Sequence, residues 1–245
     1  MAHFALTVVL GMAAALAAFL GAFILVRSRW EKRYLRYFVA LGAGFMLATA
    51  FLEMIPESFR LAPAQAPALV FAGYCVMHLL EHTINPHFHY GEETECGHIL
   101  SPRTGNSVAA GLAAHSLFDG VAIASGFALS SWLGWIVFAA ILLHKMPEGL
   151  TVASVTLASG RSRGAALAVS AIVSAATLAG VLVIDLTPGW VRGGLPLSAG
   201  VAVYVGASDL VPEVNRETGI RMALVFFAGV AIFLLCKLGA DLALR

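Results

Sequence analysis

The chain has 245 residues, of which 60% are hydrophobic and only 12% are charged, with a formal net charge of +1. Soluble domains carry roughly a quarter of charged residues, so this composition predicts an integral membrane protein. The three cysteines form no CxxC pair or disulfide framework, and no basic run with interleaved aromatic residues suggests a nucleic-acid partner.

Segments of about 20 mostly apolar residues are long enough to cross the hydrocarbon core of a bilayer. Eight segments qualify, and no low-complexity linker separates them, so residues 1–245 are predicted to form one all-α polytopic membrane domain. The first is interpreted as a true span, because no Lys or Arg precedes it and its apolar run exceeds the length of a signal-peptide core. The predicted spans are 3–26, 34–55, 67–84, 107–129, 132–157, 165–187, 196–211 and 220–242.

The basic residues of the loops predict the orientation by the positive-inside rule. With the N-terminus outside, ten Lys and Arg residues fall in inward loops and three in outward loops, while Lys145 and Lys237 lie inside spans. Both termini are therefore expected outside, and the His-rich loop at 85–106 is expected in the cytoplasm. The inward residues are Arg27, Arg29, Lys32, Arg33, Arg36, Arg103, Arg161, Arg163, Arg216 and Arg221, and the outward ones are Arg60, Arg192 and Arg245.

Two copies of one motif stand in the fourth and fifth spans. Each reads His-x-x-x-carboxylate-Gly, with His115 and Asp119 in the first copy and His144 and Glu148 in the second. Residues four apart lie on one helix face, and the short turn at 130–131 predicts that the two helices pack antiparallel. The two His and two carboxylates would then surround a divalent cation of the zinc type, with iron or manganese as alternatives. The other interpretation is that these groups only hydrogen-bond and hold the bundle together.

Pro147 lies inside the second copy and cannot donate a backbone hydrogen bond to Leu143. We therefore expect the fifth helix to open here and to free carbonyls that line a cavity. Gly120 and Gly149, which follow the carboxylates, allow close helix approach. Small-residue helix faces of this kind also allow a homodimer.

A second repeat joins the second and seventh spans. The segments 53–57 and 209–213 both read acid, two apolar residues, Pro and Glu, and each is predicted to end its span. In the predicted topology the two copies run in opposite directions, which indicates an inverted repeat. The alternative is that Pro-Glu ends two helices by chance. Inverted repeats are typical of secondary transporters with a site near the midplane. The chain has no GxxxxGK[ST] motif, so ATP is not expected to supply the energy within it.

The motifs HSLFDG and HKMPEG resemble the signature of the ZIP (Zrt/Irt-like) metal transporters, in their bacterial GufA-like or ZupT-like branches. The eight spans, the His-rich loop and the stretch YVGASDLVPE are similar as well. The resemblance implies uptake of divalent transition metals, chiefly zinc and iron, across the bacterial inner membrane into the cytoplasm. It also implies a 3+2+3 fold, with helices 1–3 and 6–8 as inverted repeats around helices 4 and 5.

The chain departs from a two-metal arrangement found in many bacterial members of that family. Ser116, Lys145 and, in a looser match, Thr177 stand where ligands of a second ion would be. An ammonium there would repel a second cation in a medium of low dielectric constant. We therefore predict a one-metal site in which Lys145 neutralises Asp119 or Glu148, rather than a lysine that snorkels to the interface.

Further polar residues lie near span ends and in the cytoplasmic loop. Glu53 is a candidate for the entrance, and Glu81, His82 and Asp209 are candidates for a relay toward the cytoplasm; all four would otherwise be ordinary helix-end or interfacial groups. Asp185 and Lys237 either pair or face opposite sides. The loop suits weak metal capture, or is a solvated polar loop. Its candidate ligands are His87, His89, Cys96 and His98.

The function expected from these features is secondary transport of zinc, with iron, manganese, cobalt and cadmium accepted by the same donor types. One alternative is an intramembrane metal-dependent hydrolase, but no HExxH helix or three-His set lies inside a span. Another is an exporter or channel on the same scaffold. No catalytic residues and no cofactor beyond the transported metal are expected.

Overall fold

The fold is known from a computed structural model that describes residues 2–27, 32–84, 102–215 and 220–243. Within these ranges the secondary structure is helical, and no strand occurs. The helices are α1 (Ala2–Arg27), α2 (Lys32–Thr49), α3 (Ile55–Leu61), α4 (Ala66–Ile84), α5 (Pro102–Leu129), α6 (Ser131–Ala158), α7 (Arg163–Leu186), α8 (Val191–Tyr204), α9 (Val211–Asn215) and α10 (Ile220–Ala243).

Two π-helical turns join pairs of these helices end to end. Ala50–Met54 connects α2 to α3, and Val205–Leu210 connects α8 to α9. The helices therefore continue through Pro56 and Pro212, whereas the sequence predicted that the second and seventh spans end at these prolines. A proline disturbs a helix because it lacks an N–H and crowds the carbonyl four residues before it. The π turn widens the backbone immediately before each proline and so accommodates it.

Six helical stretches among the described residues are long and apolar enough to cross a membrane by length and composition. The predicted third and seventh spans are not among them. α4 carries His78, Glu81 and His82 in its last turns, and α8 has only 14 residues before its π turn. The six stretches are Phe4–Arg27, Val39–Leu61, Gly105–Leu129, Ser131–Ala158, Arg163–Leu186 and Ile220–Ala240.

Helix α6 lies at the centre of the bundle. Its apolar window is 78% buried, against 17% for α10, which is peripheral. α6 packs against α1, α2, α5 and α7, and Ser130 caps it by accepting a hydrogen bond from the Leu133 N–H at 3.1 Å. The one-residue connection makes α5 and α6 antiparallel neighbours, as predicted.

The prediction that α6 opens at Pro147 is wrong, because the helix is continuous from Ser131 to Ala158. Pro147 removes only the hydrogen bond to the Leu143 carbonyl, and neighbouring helices enclose the turns on both sides. Helix α2 approaches here, since a Cβ on Gly42 would lie 3.6 Å from that carbonyl oxygen. Packing against neighbouring helices therefore keeps α6 helical on both sides of the proline.

Glycines set the distance between α1 and α6 and between α5 and α7. A Cβ added to Gly149 would lie 1.7 Å from the Ala18 carbonyl oxygen, and one on Gly120 would lie 1.9 Å from that of Thr177. Neither position has room for a side chain, so backbone meets backbone on both sides of the α5–α6 pair.

The α2–α10 and α4–α8 contacts use glycine in the same way. A Cβ on Gly44 of α2 would lie 2.0 Å from a carbonyl oxygen of α10, and one on Gly200 of α8 would lie 1.9 Å from a carbonyl oxygen of α4. The reciprocal glycines are Gly229 of α10 and Gly73 of α4, at 2.2 and 2.1 Å. Both corresponding pairs, 44 with 200 and 73 with 229, are separated by 156 positions.

Candidate metal centre

Four ionisable side chains meet between α5 and α6. His115, Asp119, His144 and Glu148 each offer one ligand atom, and these atoms all lie within 4.8 Å of one another. All four side chains are buried, with no residue more than 5% exposed. The four-residue spacing places each His beside its carboxylate, and the antiparallel packing of the two helices brings the pairs together.

The distances within the cluster leave imidazole nitrogens directed toward the carboxylates. Asp119 Oδ2 lies 3.3 Å from Nε2 of both His115 and His144, and Glu148 Oε2 lies 3.7 Å from Nε2 of His115. His144 Nδ1 is 2.9 Å from the Ala140 carbonyl oxygen. Donation from Nδ1 to this carbonyl would leave the Nε2 lone pair for a cation.

His115 adds an unsatisfied group to the same cluster. Within the described part of the chain, its Nδ1 has no hydrogen-bond partner although the side chain is buried. Two imidazoles and two carboxylates are a mixed nitrogen and oxygen donor set that suits zinc and related divalent ions. The cluster therefore fits a metal site.

The Lys145 ammonium group lies among these side chains rather than at the membrane interface. Its Nζ is 2.8 Å from Asp119 Oδ2 and 2.8 Å from Glu148 Oε2, and the residue is fully buried. Nζ also donates to Ser116 Oγ at 2.9 Å, and Ser116 in turn donates to Glu148 Oε1. Since burial of an unpaired ion is costly, this lysine balances part of the charge of the two carboxylates.

A small cavity adjoins Asp119 on the side of the cluster that faces the α5–α6 turn. α5 contributes Ala122, one turn beyond Asp119, and α6 contributes residues that precede His144. α2, its π turn and α8 supply the rest of the wall. The lining residues are Met46, Thr49, Met54, Asp119, Ala122, Val137, Ala140, Ile141, Ser198 and Ala202.

The other candidate residues lie apart from the cluster of His115, Asp119, His144 and Glu148. Glu53, in the first π turn, pairs with Lys237 of α10 at 2.6 Å. Glu81 of α4 accepts a hydrogen bond from the Tyr204 hydroxyl at 2.7 Å, and its carboxyl group shares a hydrogen bond with that of Asp209. The relay candidates Glu81 and Asp209 are thus together.

The remaining expectations have mixed outcomes. The exposed His82 is 2.9 Å from the His78 carbonyl oxygen through Nδ1. Asp185 accepts a hydrogen bond from Thr7 at 2.6 Å, so it is not the partner of Lys237. Thr177 is buried against Gly120 of α5. The loop candidates His87, His89, Cys96 and His98 lie outside the described residues.

Sequence reasoning missed the Glu53–Lys237 pair and the place of Tyr204 beside Glu81. A signal was present, because Glu81 and Lys237 are separated by the same 156 positions as Glu53 and Asp209. A repeat aligned over its whole length, rather than over five residues, would have placed all four charged groups in corresponding positions.

Hydrophobic helices around a buried His and carboxylate cluster define a multi-pass membrane protein with a site suited to a divalent metal. Residues 99–237 match the family model described as ZIP Zinc transporter. The chain belongs to the ZIP zinc transporter family.

Curated relatives agree with this assignment. The zinc transporter SLC39A7 of Mus musculus is 30% identical over 162 residues, covering 59% of this chain and 33% of the relative. The zinc transporter ZIP13 of Pongo abelii is 22% identical over 244 residues, covering 89% of this chain and 71% of the relative. The chain spans about a third of the length of the SLC39A7 protein it matches.

Proposed function

We propose that the chain is a secondary transporter that moves zinc across the bacterial inner membrane into the cytoplasm. The observation that carries this proposal is the buried cluster of His115, Asp119, His144 and Glu148 between α5 and α6. Burying four charged or polar side chains among apolar helices costs free energy unless something compensates their charge, and a divalent cation compensates all four at once. Iron, manganese, cobalt and cadmium are accepted by the same donor types.

The donor set suits a transported ion rather than a permanently held one. Zinc sites of structural type are commonly thiolate-rich and closed, whereas this cluster has no cysteine. Protons compete with the metal for the imidazole and carboxylate lone pairs, so binding weakens as these groups become protonated. Release on the cytoplasmic side then needs no covalent chemistry.

We further propose that one ion is carried at a time. Lys145 occupies the space between Asp119 and Glu148 with a fixed positive charge, 2.8 Å from each. Its position supports the interpretation that it replaces a second metal. At the two other positions, Ser116 and Thr177 offer hydroxyl groups where the two-metal pattern has an Asn amide and a Glu carboxylate.

We infer a 3+2+3 arrangement with inverted repeats around α5 and α6. The α2–α10 and α4–α8 contacts support it, because their glycines correspond at a constant separation of 156 positions. The two π turns, each followed by a proline, support the same relation. The loop charges favour both termini outside, and the HSLFDG and HKMPEG motifs favour a GufA-like or ZupT-like branch. Small-residue faces favour a homodimer within the bilayer.

Zinc flux into proteoliposomes tests the proposal. Wild-type protein is expected to accumulate zinc, and His144→Ala and Glu148→Ala are expected to abolish accumulation because each removes a ligand. Glu57→Gln is the matched control, since Glu57 is an acidic residue that pairs with Arg60 at 3.1 Å outside the cluster. Uptake that survives both ligand substitutions would remove the cluster from the transport path.

A further inference from the structure

The two π turns carry carboxylates at corresponding positions, and these carboxylates have partners at corresponding positions. Glu53 and Asp209 each lie three residues before the proline that follows the turn, and they are 156 positions apart. Their partners, Lys237 and Glu81, are also 156 positions apart. α10 therefore contacts the π turn after α2 in the same way that α4 contacts the π turn after α8.

The two pairs differ in charge. Glu53 and Lys237 form an ion pair, with 2.6 Å between Oε1 and Nζ. Asp209 and Glu81 are both acids, and Tyr204 donates to Glu81 at 2.7 Å. The charges are therefore complementary in the first pair and not in the second.

Lys237 also contacts the backbone of the π turn. Its Nζ lies 3.3 Å from the Leu52 carbonyl oxygen. Leu52 is four residues before Pro56, so this carbonyl lacks the N–H that an ordinary helix would supply. The lysine thus binds both the side chain of Glu53 and a carbonyl to which Pro56 has no N–H to donate.

The ion pair lies at the end of a tightly packed contact between α2 and α10. Gly44 and Gly229 bring the two backbones together, and Phe45 packs edge-on against Phe233 with 5.9 Å between ring centroids. Glu53 and Lys237 then join the helices at the π turn.

The same π turn borders the cavity beside Asp119. Thr49, which immediately precedes the turn, and Met54, its last residue, line that cavity. A movement of the turn would therefore change the wall of the cavity. The side chains of the pair are partly accessible, 36% for Lys237 and 16% for Glu53.

We propose that Glu53 and Lys237 form an ionic latch that holds the π turn against α10 and keeps the cavity beside Asp119 closed. Opening of the latch widens the route to the metal centre on the side of the α5–α6 turn. Lys237 acts as a positioning residue in this role, through Glu53 and the Leu52 carbonyl. The inference rests on the proposed function, because the cavity is taken as an access route for the transported ion.

Thiol accessibility at Thr49 tests the latch directly. Thr49→Cys is introduced in a variant whose three native cysteines are replaced by serine, and the purified protein in detergent is labelled with a hydrophilic thiol reagent. Lys237→Gln and Glu53→Gln are expected to raise the labelling rate about tenfold. Lys237→Arg and the charge swap Glu53→Lys with Lys237→Glu are expected to restore a rate within about twofold of the parent.

Glu57→Gln is the matched control and should leave the labelling rate unchanged, since Glu57 pairs with Arg60 within α3 and not with Lys237. An unchanged rate in Lys237→Gln and Glu53→Gln would overturn the latch. Faster labelling that neither the arginine nor the charge swap reverses would also overturn it, because the cause would then be general loosening of the fold. Zinc uptake by wild-type protein is measured separately, so failure of the transport proposal appears as absent uptake while the labelling rates still report on the latch.

Discussion

The two copies of the His–carboxylate motif differ in charge at one position, while both make a close glycine contact with a neighbouring backbone. Gly120 on α5 and Gly149 on α6 each press against a carbonyl oxygen of a neighbouring helix, at 1.9 and 1.7 Å for an added Cβ. The residue after each histidine differs, with Ser116 in the first copy and Lys145 in the second. The two copies therefore share their close backbone contacts, whereas the difference in charge between them comes from a single side chain, Lys145.

Electrostatics shows why this one difference matters. Two unit charges 4 Å apart interact by about 4 kcal/mol at an effective dielectric constant of 20, and a divalent ion doubles this value. Lys145 is 2.8 Å from both carboxylates, so a second divalent ion that used them would stand within a few ångströms of the ammonium group. A second ion would meet this repulsion in addition to that of the first ion.

The largest expected effect follows from making the second copy acidic at this position. Lys145→Asp removes the repulsion and adds a ligand, so we expect zinc stoichiometry to rise from one to two ions per chain. Anomalous scattering from crystals, or calorimetry on purified protein, measures the number of ions. Lys145→Gln is the control, because it removes the charge without adding a carboxylate and should keep one ion. Two ions in the wild type would contradict the role given to Lys145.

The next effect concerns stability in the absence of metal. Lys145→Met leaves Asp119 and Glu148 buried without their cation, so the free energy of unfolding should fall by about 3–5 kcal/mol. Denaturant unfolding in micelles with and without zinc measures this loss, and zinc should recover more stability in the variant than in the wild type. Lys237→Met is the comparison, because its partly exposed pair should contribute about 1 kcal/mol or less. Equal losses in both variants would contradict a central role for burial.

Much of this site could be predicted from the sequence, because helical periodicity and a very short turn leave few arrangements for α5 and α6. The proximity of His115, Asp119, His144 and Glu148, and the presence of Lys145 beside the carboxylates, follow from those two constraints. The courses of the helices through Pro56 and Pro147 could not be predicted, since a proline's local cost is outweighed by π turns or by packing from other parts of the chain. The partner of Lys237 is 184 positions away, so this pair could be predicted only by aligning the repeat over its whole length.

The smallest effect tests whether the two copies really share their packing. Gly120→Ala and Gly149→Ala each place a Cβ inside van der Waals contact with backbone, so both should lower the free energy of unfolding by similar amounts, about 1–3 kcal/mol. Gly193→Ala is the control, since a Cβ there meets nothing within 4 Å, and the better helix propensity of alanine should leave α8 as stable or slightly more so. Thermal unfolding of all three variants in one detergent gives the comparison. A large loss of unfolding free energy in only one of the two glycine variants would mean that the glycines do not make equivalent contacts. The two copies of the motif would then be similar in sequence alone.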